Sequence, residues 1–266
     1  MTINASDLMS AIVEISHEAG ARILEIYDSE FEVESKEDES PLTAADLASH
    51  ATIAKALADL TPDIPVLSEE SAEIPYETRS GWKEYWLVDP LDGTKEFVKR
   101  NGEFTVNIAL VRGNKPILGV VHVPVTGVDY YGCEGVGAYR ATPGQDVETL
   151  RVQPIGERPV KVVGSRSHRG ELLDAYLERL GSHEMVPMGS SLKLCLVAAG
   201  DADVYPRLGL TSEWDTAAAQ AVVEAAGGHV IDTDGNALLC NAKPEYLNPF
   251  FIVYGDDSRD WTSYLG

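Results

Sequence analysis

Basic residues are scarce in this sequence: 21 Lys and Arg stand against 43 Asp and Glu, a formal net charge of −22. Such a chain repels polyanions at long range, which excludes a nucleic-acid polymer or an anionic membrane as the expected partner. Cysteine is scarcer still. Cys133, Cys195 and Cys240 are odd in number and far apart, so neither a disulfide framework nor a thiolate zinc pair is expected, and a reducing cytoplasm fits; peripheral membrane association stays open. Long apolar runs are missing too, with nothing near the roughly eighteen residues of a bilayer span. The first twenty residues carry Asp7, Glu14 and Glu18 where an export signal would have a basic start and an apolar block, so no export by that route is expected. At 266 residues the chain can bury a core without staples.

The excess of acid sets a condition on any phosphate-binding role. Substrate would be repelled unless cations gather locally, from bound metal or from a cluster of the few Lys and Arg. Most of the carboxylates read simply as solvated surface.

Apolar spacing predicts a helix over 6–27 with Ile12, Ile15, Ala19, Ile23 and Ile26 on one face and Ser6 as N-cap. Residues 28–40 are acidic and read as a loop, with a short strand near Phe31 and Val33. A second helix is expected over 43–60, with Ile53, Leu57 and Leu60 on one side. Two short apolar runs, 64–68 and 85–88, each end in acid and read as strands delivering carboxylates to one edge. From 104 to 140, β-branched residues between turn signals at Arg112-Gly113-Asn114 and Thr126-Gly127 predict antiparallel strands. After Pro154 the pattern becomes a strand at 160–163, a helix at 171–180, a short strand, a helix at 191–199, a strand at 202–205 and a helix at 215–226. Gly227-Gly228 stops that helix, and Asp234-Gly235 reads as a hairpin turn before a last strand at 250–254. An α+β N-terminal half, 1–155, and an α/β C-terminal half, 156–266, are therefore expected to pack as a single compact unit, since no linker or repeat separates them.

Four acid-bearing sites stand out: Leu42-Thr43-Ala44-Ala45-Asp46, Leu67-Ser68-Glu69-Glu70, Val88-Asp89-Pro90-Leu91-Asp92-Gly93-Thr94 and Trp214-Asp215-Thr216-Ala217-Ala218. In each the acid follows a strand or opens a helix, where it can meet a ligand without disturbing a core. Asp89 and Asp92, with a backbone carbonyl between them, offer hard oxygens suited to Mg²⁺, and Gly93 lets the chain turn into a helix start at Thr94. Each site also has a plain reading. Asp46 fits a capping box with Thr43, Asp215 fits a helix N-terminal acid, and Glu69 with Glu70 fits loop solvation. Asp92-Gly93-Thr94 superficially resembles the Asp-x-Asp-Gly-Thr of haloacid-dehalogenase-type phosphatases, but the preceding acid lies three residues back, not two.

Taken in order, Pro65-Val66-Leu67-Ser68-Glu69-Glu70, the run from Trp86 to Phe97, and Trp214-Asp215-Thr216-Ala217-Ala218 resemble the motifs of the inositol monophosphatase superfamily. The run from Arg100 to Leu110, Ser165-Arg166-Ser167-His168 and Gly189-Ser190-Ser191-Leu192-Lys193 are similar to those of its CysQ-type 3′(2′),5′-bisphosphate nucleotidases. The resemblance implies the layered αβαβα sugar-phosphatase fold and Mg²⁺-dependent hydrolysis of 3′-phosphoadenosine 5′-phosphate to AMP and phosphate, without a phosphoenzyme. It further implies a role in sulfur metabolism and lithium sensitivity. Two or three Mg²⁺ ions would be held by Glu69, Asp89, the carbonyl of Leu91, Asp92 and Asp215. Asp46 and Thr94 match the pair that orients and activates water, with Glu69 beside them. Gly93, Thr94, His168, Ser190, Lys193 and Arg207 match substrate contacts. Competing expectations are action on inositol monophosphate or fructose 1,6-bisphosphate, and a non-catalytic metal-binding interaction protein. A homodimer is compatible with all of them.

Overall fold

The computed structural model describes residues 4–29, 41–165 and 170–266, without the side chains of 41 and 42. The expected short strand at Phe31 and Val33, and the expected substrate contact His168, lie outside the described residues.

Helix α1, Ala5–Tyr27, buries Leu8, Ile12, Ile15, Ala19 and Ile23, spaced three and four apart along one face. Asn4, in extended conformation, is the N-cap. The apolar stripe begins at Ala5, so the helix starts earlier than expected and Ser6 lies inside its first turn. Helix α2, Pro41–Leu60, opens on a proline, whose missing N–H costs nothing in a first turn. Thr43 is therefore inside the helix and not its N-cap, the place that the capping-box reading with Asp46 gave it. Ile53 and Leu57 are fully buried while Leu60 turns out to solvent.

The first sheet is formed by β1 (Val66–Ser68), β2 (Glu84–Asp92), β3 (Thr105–Arg112), β4 (Lys115–Val123), β5 (Val128–Cys133), β6 (Gly137–Ala141) and β7 (Glu148–Leu150), in spatial order equal to chain order. Only β1 and β2 run parallel; the rest form an antiparallel meander. Two short helices, α3 (Tyr76–Arg79) and α4 (Thr94–Val98), flank β2. Period-two alternation assigns the faces. Trp86, Val88, Ile108, Leu110, Leu118 and Val120 pack with α1 and α2. Leu87, Ala109, Val111, Val121 and Val123 face the other way, toward the second half of the chain.

That half supplies β8 (Val160–Gly164), α5 (Glu171–Leu180), β9 (His183–Pro187), α6 (Leu192–Ala198), β10 (Val204–Arg207), α7 (Glu213–Ala225), β11 (His229–Asp232) and β12 (Phe251–Tyr254). The strands form a mixed sheet ordered β11-β12-β10-β8-β9. Side chains of α6 and α7 fill the space between the two sheets. Leu173, Tyr176 and Leu177 of α5 close the outer face against Val160, Val162, Val204 and Trp261. The result is five layers, helix–sheet–helix–sheet–helix. Asp234-Gly235 does turn the chain, with the Gly235 N–H on Asp232 O at 3.1 Å. It closes a short hairpin, as expected: Ile231 bridges Ala237 antiparallel, and the Asp232 N–H donates to Asn236 O at 2.8 Å. The second arm is too short to count as a strand, and β12 pairs antiparallel with β11.

One contact sets where α7 can sit. A Cβ on Gly119 of β4 would fall 2.0 Å from the carbonyl oxygen of Ala218, so only glycine allows the helix to lie this close on the sheet.

Candidate metal centre and active site

The site grows from the end of β2. Asp89 pairs with Asn107 and Asp92 with Thr105, three steps on one strand against two on its partner. In a regular strand, residues three apart face opposite sides; the extra residue of this bulge lets both carboxylates serve one side. The Leu91 N–H donates to Asp89 Oδ1 at 3.1 Å, and Ser49 of α2 donates to the Pro90 carbonyl at 2.8 Å, fixing the bulge from within and behind. Gly93 follows with φ +96°, and a Cβ there would meet Glu103 O, Phe104 Cα and Ser190 Cβ at 3.2 Å. The chain then enters α4, as expected, with Thr94 exposed in its first turn.

Because β1 runs parallel to β2, with Ser68 beside Val88, the next residue of each chain segment emerges at the same sheet edge. Those residues are Glu69 and Asp89. Asp215 arrives from the opposite layer as the third residue of α7. Its Oδ2 accepts from the Ser212 N–H at 2.9 Å in a capping box. The helix-terminal reading therefore holds and is compatible with the site reading, since a carboxylate oxygen each from Glu69, Asp89 and Asp215 lie within 4.8 Å of one another. Asp92 is tied to the C-terminal half, its Oδ2 accepting from the Ser191 N–H at 2.5 Å. Asp46, buried on α2, faces Glu69 and Glu70, and its Oδ1 has no hydrogen-bond partner.

These acids oppose one another's ionisation. Asp46 is pushed up to about 8, by desolvation first and then by Glu70 and Glu69. Asp215 rises to about 7, by burial and then Asp92. Glu69 is open on its rim side, yet its carboxyl is also pushed up to about 7, by desolvation and then Glu70 and Asp92. Asp89 is raised well above its ordinary range by burial, with Asp92, Asp215 and Glu69 adding repulsion. Asp92 is raised by burial and partly relieved by Lys193 and the Ser191 N–H.

A cleft of about 150 Å³ adjoins the acids, lined by Asp92, Gly93, Ser190, Lys193, Arg207 and Asp215 among others. Every expected substrate residue in the described chain lines it except Thr94, which directly follows Gly93. Lys193 is nearly buried, and desolvation lowers its pKa against the pull of Asp92. Its Nζ donates to Ser190 O at 2.5 Å. Ser190 adopts φ +42°, and its buried Oγ has no partner. Of the two expected sources of local positive charge, the protein's own cations give no excess: Lys95, Lys193 and Arg207 in the lining are matched by Asp92, Glu96 and Asp215. A phosphate there needs further positive charge, and the clustered oxygen donors are chemically suited to a hard divalent cation that supplies it.

Sequence reasoning passed over the frame behind these groups. Ser191 Oγ donates to Asn107 Oδ1 at 2.9 Å and lies 2.9 Å from Thr105 Oγ1, clipping α6 to β3. Glu213, left without a role, is buried. Its Oε2 accepts from the Asn241 N–H at 2.8 Å, and burial raises its carboxyl to about 7. Asn241 in turn donates to Arg79 O at 2.7 Å, so the start of α7 is held to α3. No local pattern marks such residues, since their partners lie far along the chain.

Comparison with known proteins agrees with this architecture. A model of the inositol monophosphatase family matches residues 4–256. A curated relative, the 3′(2′),5′-bisphosphate nucleotidase CysQ of Salmonella typhimurium, is 49% identical over 248 residues, covering 92% of this chain and 99% of the relative. The Haemophilus influenzae CysQ is 38% identical over 264 residues, covering 99% and 98%. Among solved structures, CysQ from Bacteroides thetaiotaomicron superposes with a TM-score of 0.85 at 41% identity, covering 96% of this chain and 98% of that one. The layered fold and the CysQ-type resemblance expected from the motifs both hold. No helix among the described residues is long and apolar enough to cross a membrane. By its residues, its layering and these relatives, the chain belongs to the inositol monophosphatase family.

Proposed function

We propose that this chain is a Mg²⁺-dependent 3′(2′),5′-bisphosphate nucleotidase that hydrolyses 3′-phosphoadenosine 5′-phosphate to AMP and phosphate. The observation that carries the reading is the convergence of Glu69, Asp89 and Asp215 beside a cleft holding Asp92, Lys193 and Arg207. Glu69, Asp89, the Leu91 carbonyl, Asp92 and Asp215 would hold two or three Mg²⁺ ions. The mutual repulsion among these acids and the all-oxygen donor set support that assignment. When bound, the ions neutralise the scissile phosphate and lower the pKa of a water.

The chain's own groups do the rest. Asp46 and the Thr94 hydroxyl orient the attacking water, and Asp46 takes up its proton; the unpaired, buried Oδ1 of Asp46 supports this role. Lys193 and Arg207 hold the second phosphate, as point charge and planar fork respectively. Gly93 and Ser190 line the nucleotide's position, Ser190 with an unpartnered hydroxyl, and His168 completes that set. A nucleotide with two phosphates suits a cleft that carries Lys193 and Arg207 beside the metal-binding acids better than inositol monophosphate does. Comparative kcat/KM at fixed Mg²⁺ on 3′-phosphoadenosine 5′-phosphate, inositol monophosphate and fructose 1,6-bisphosphate tests the reading. The nucleotide is expected to lead clearly. A higher value for either sugar phosphate overturns the substrate assignment, and phosphate release unchanged by chelation overturns the metal.

A further inference from the structure

On the opposite face of the first sheet, away from the phosphatase cleft, a second cluster of donor atoms has no part in the reaction described above. His122 on β4 and Asp129 on β5 are cross-strand partners, directly opposite in the hairpin register. Both are buried, at 5% and 3% exposure. His122 Nδ1 lies 2.7 Å from Asp129 Oδ1. From the helix layer above, His17 of α1 brings Nε2 to 2.7 Å from Asp129 Oδ2. The imidazole rings stand 4.7 Å apart, and one donor atom from each of the three residues lies within 4.8 Å of the other two. A Cβ on Gly20 would fall 2.6 Å from His122 Nε2, so that edge of the ring is packed against α1, leaving Nδ1 as the nitrogen turned to the cluster.

We propose that His17, His122 and Asp129 form a second divalent-metal site, for a late first-row ion of the Zn²⁺ class and not for Mg²⁺. Two imidazoles and one carboxylate are a borderline donor set that favours Zn²⁺ and its neighbours, whereas Mg²⁺ takes oxygen. Two of the donors sit on adjacent rigid strands, so most of the ordering is complete before an ion arrives. The third, on a half-exposed His17 side chain, gives the ion a way in and leaves a coordination position facing solvent. Each histidine ligates as a neutral imidazole, so a proton on the ligating nitrogen of a neutral ring moves to that ring's other nitrogen, and only an imidazolium ring releases one to solvent. The ion would tie α1 to the β4–β5 hairpin.

The test is titration of the full chain with Zn²⁺, and separately with Co²⁺, in saturating Mg²⁺, for the wild type, His17→Gln and Asp129→Asn. His17→Gln changes a half-exposed residue and is expected to fold. The wild type should bind one more Zn²⁺ equivalent than His17→Gln, or bind it at least about tenfold more tightly, the scale of losing a ligand's support. Co²⁺ should give a visible d–d band that His17→Gln loses and Asp92→Asn keeps, which separates this site from the acidic centre. Zn²⁺ should raise the melting temperature of the wild type and not that of His17→Gln. Equal Zn²⁺ stoichiometry and affinity in the wild type and His17→Gln, or a Co²⁺ band lost with Asp92→Asn and kept with His17→Gln, would reduce the cluster to a hydrogen-bonded triad and overturn the proposal. If Asp129→Asn fails to fold, the His17→Gln comparison decides.

Discussion

The two faces of the seven-stranded sheet solve different problems. Under α1 and α2 the sheet presents Trp86, Val88, Ile108, Leu110, Leu118 and Val120, and stability there comes from apolar area removed from water. Under α7 it gives up side-chain volume at Gly119 so that the helix can approach. At its margin that face carries Asp89 and Asn107, both buried and polar. Apart from the His17, His122 and Asp129 cluster, the first face can be altered by volume alone, whereas the second positions charge, because Asp215 rides on α7 and reaches the end of β2. Damage on one face should appear as lost stability, and damage on the other as lost chemistry.

The sharpest way to break that contrast is Asp92→Asn. The substitution keeps the shape, and its side-chain oxygen can still accept from the Ser191 N–H, so the fold should survive. With one charge of the acidic set removed, kcat should fall by roughly 10² to 10³, about 2.7–4 kcal/mol, as for other preorganised electrostatic elements. Steady-state phosphate release in Mg²⁺, with circular dichroism as a fold control, reads it. Wild-type turnover would remove Asp92 from the metal set.

A paired comparison of the faces comes next. Leu57, fully buried on the inner side of α2, should cost about 2–5 kcal/mol when changed to Ala, with kcat intact well below the melting transition. Gly119→Ala should cost about 1–3 kcal/mol or more through overpacking, since its Cβ would overlap the Ala218 carbonyl. It should also lower kcat, because displacing α7 moves Asp215. Urea titrations with kcat on the same samples separate the two outcomes. A Gly119→Ala enzyme that is destabilised but turns over normally would show that the helix's close seat does not position the acid.

The same contrast explains what could be read from the chain alone. Helix and strand periods were plain wherever one face is apolar, as along α1 or from β3 to β6. The acidic motifs were plain because their residues are near neighbours in sequence. Four things were hidden. Asp215 caps α7 and also converges with Glu69 and Asp89, whereas sequence presented cap and ligand as alternatives. The β2 bulge leaves no mark in residues 89–92 that separates it from a simple turn, since it depends on register with Asn107 and Thr105. The supports Ser191, Glu213 and Asn241 act through partners between 28 and 162 positions away, a separation that no local pattern records. The short strands β7 and β11 escaped for a related reason: each is only three or four residues long and is held by its neighbour in the sheet.

The smallest effect concerns pH and metal together. Asp46 at about 8, Asp215 and Glu69 at about 7, and Asp89 in the same direction, all bind protons more tightly in the metal-free fold than ordinary carboxylates do. An unfolded chain releases those protons near pH 4. Between there and about pH 8 the native state holds more protons than the unfolded one, so metal-free stability should fall as pH rises through this window. Under the proposed assignment Mg²⁺ would bind the ionised carboxylates and compete with those protons, so its stabilising effect should be larger at about pH 8 than at about pH 5.5. At about a hundredfold over its Kd one ion adds ~2.7 kcal/mol, several degrees in melting temperature for a chain of this size. The gain at the lower pH should be a fraction of that. Glu213 is raised to about 7 by its own burial and is held by the Asn241 N–H, outside the cluster of Glu69, Asp89 and Asp215. Its share of the pH slope should therefore persist in saturating Mg²⁺ and disappear in Glu213→Gln. Calorimetric scans at the two pH values, with and without Mg²⁺, distinguish the contributions; an equal Mg²⁺ gain at both would mean that the acids around Asp89 do not repel one another as their spacing requires.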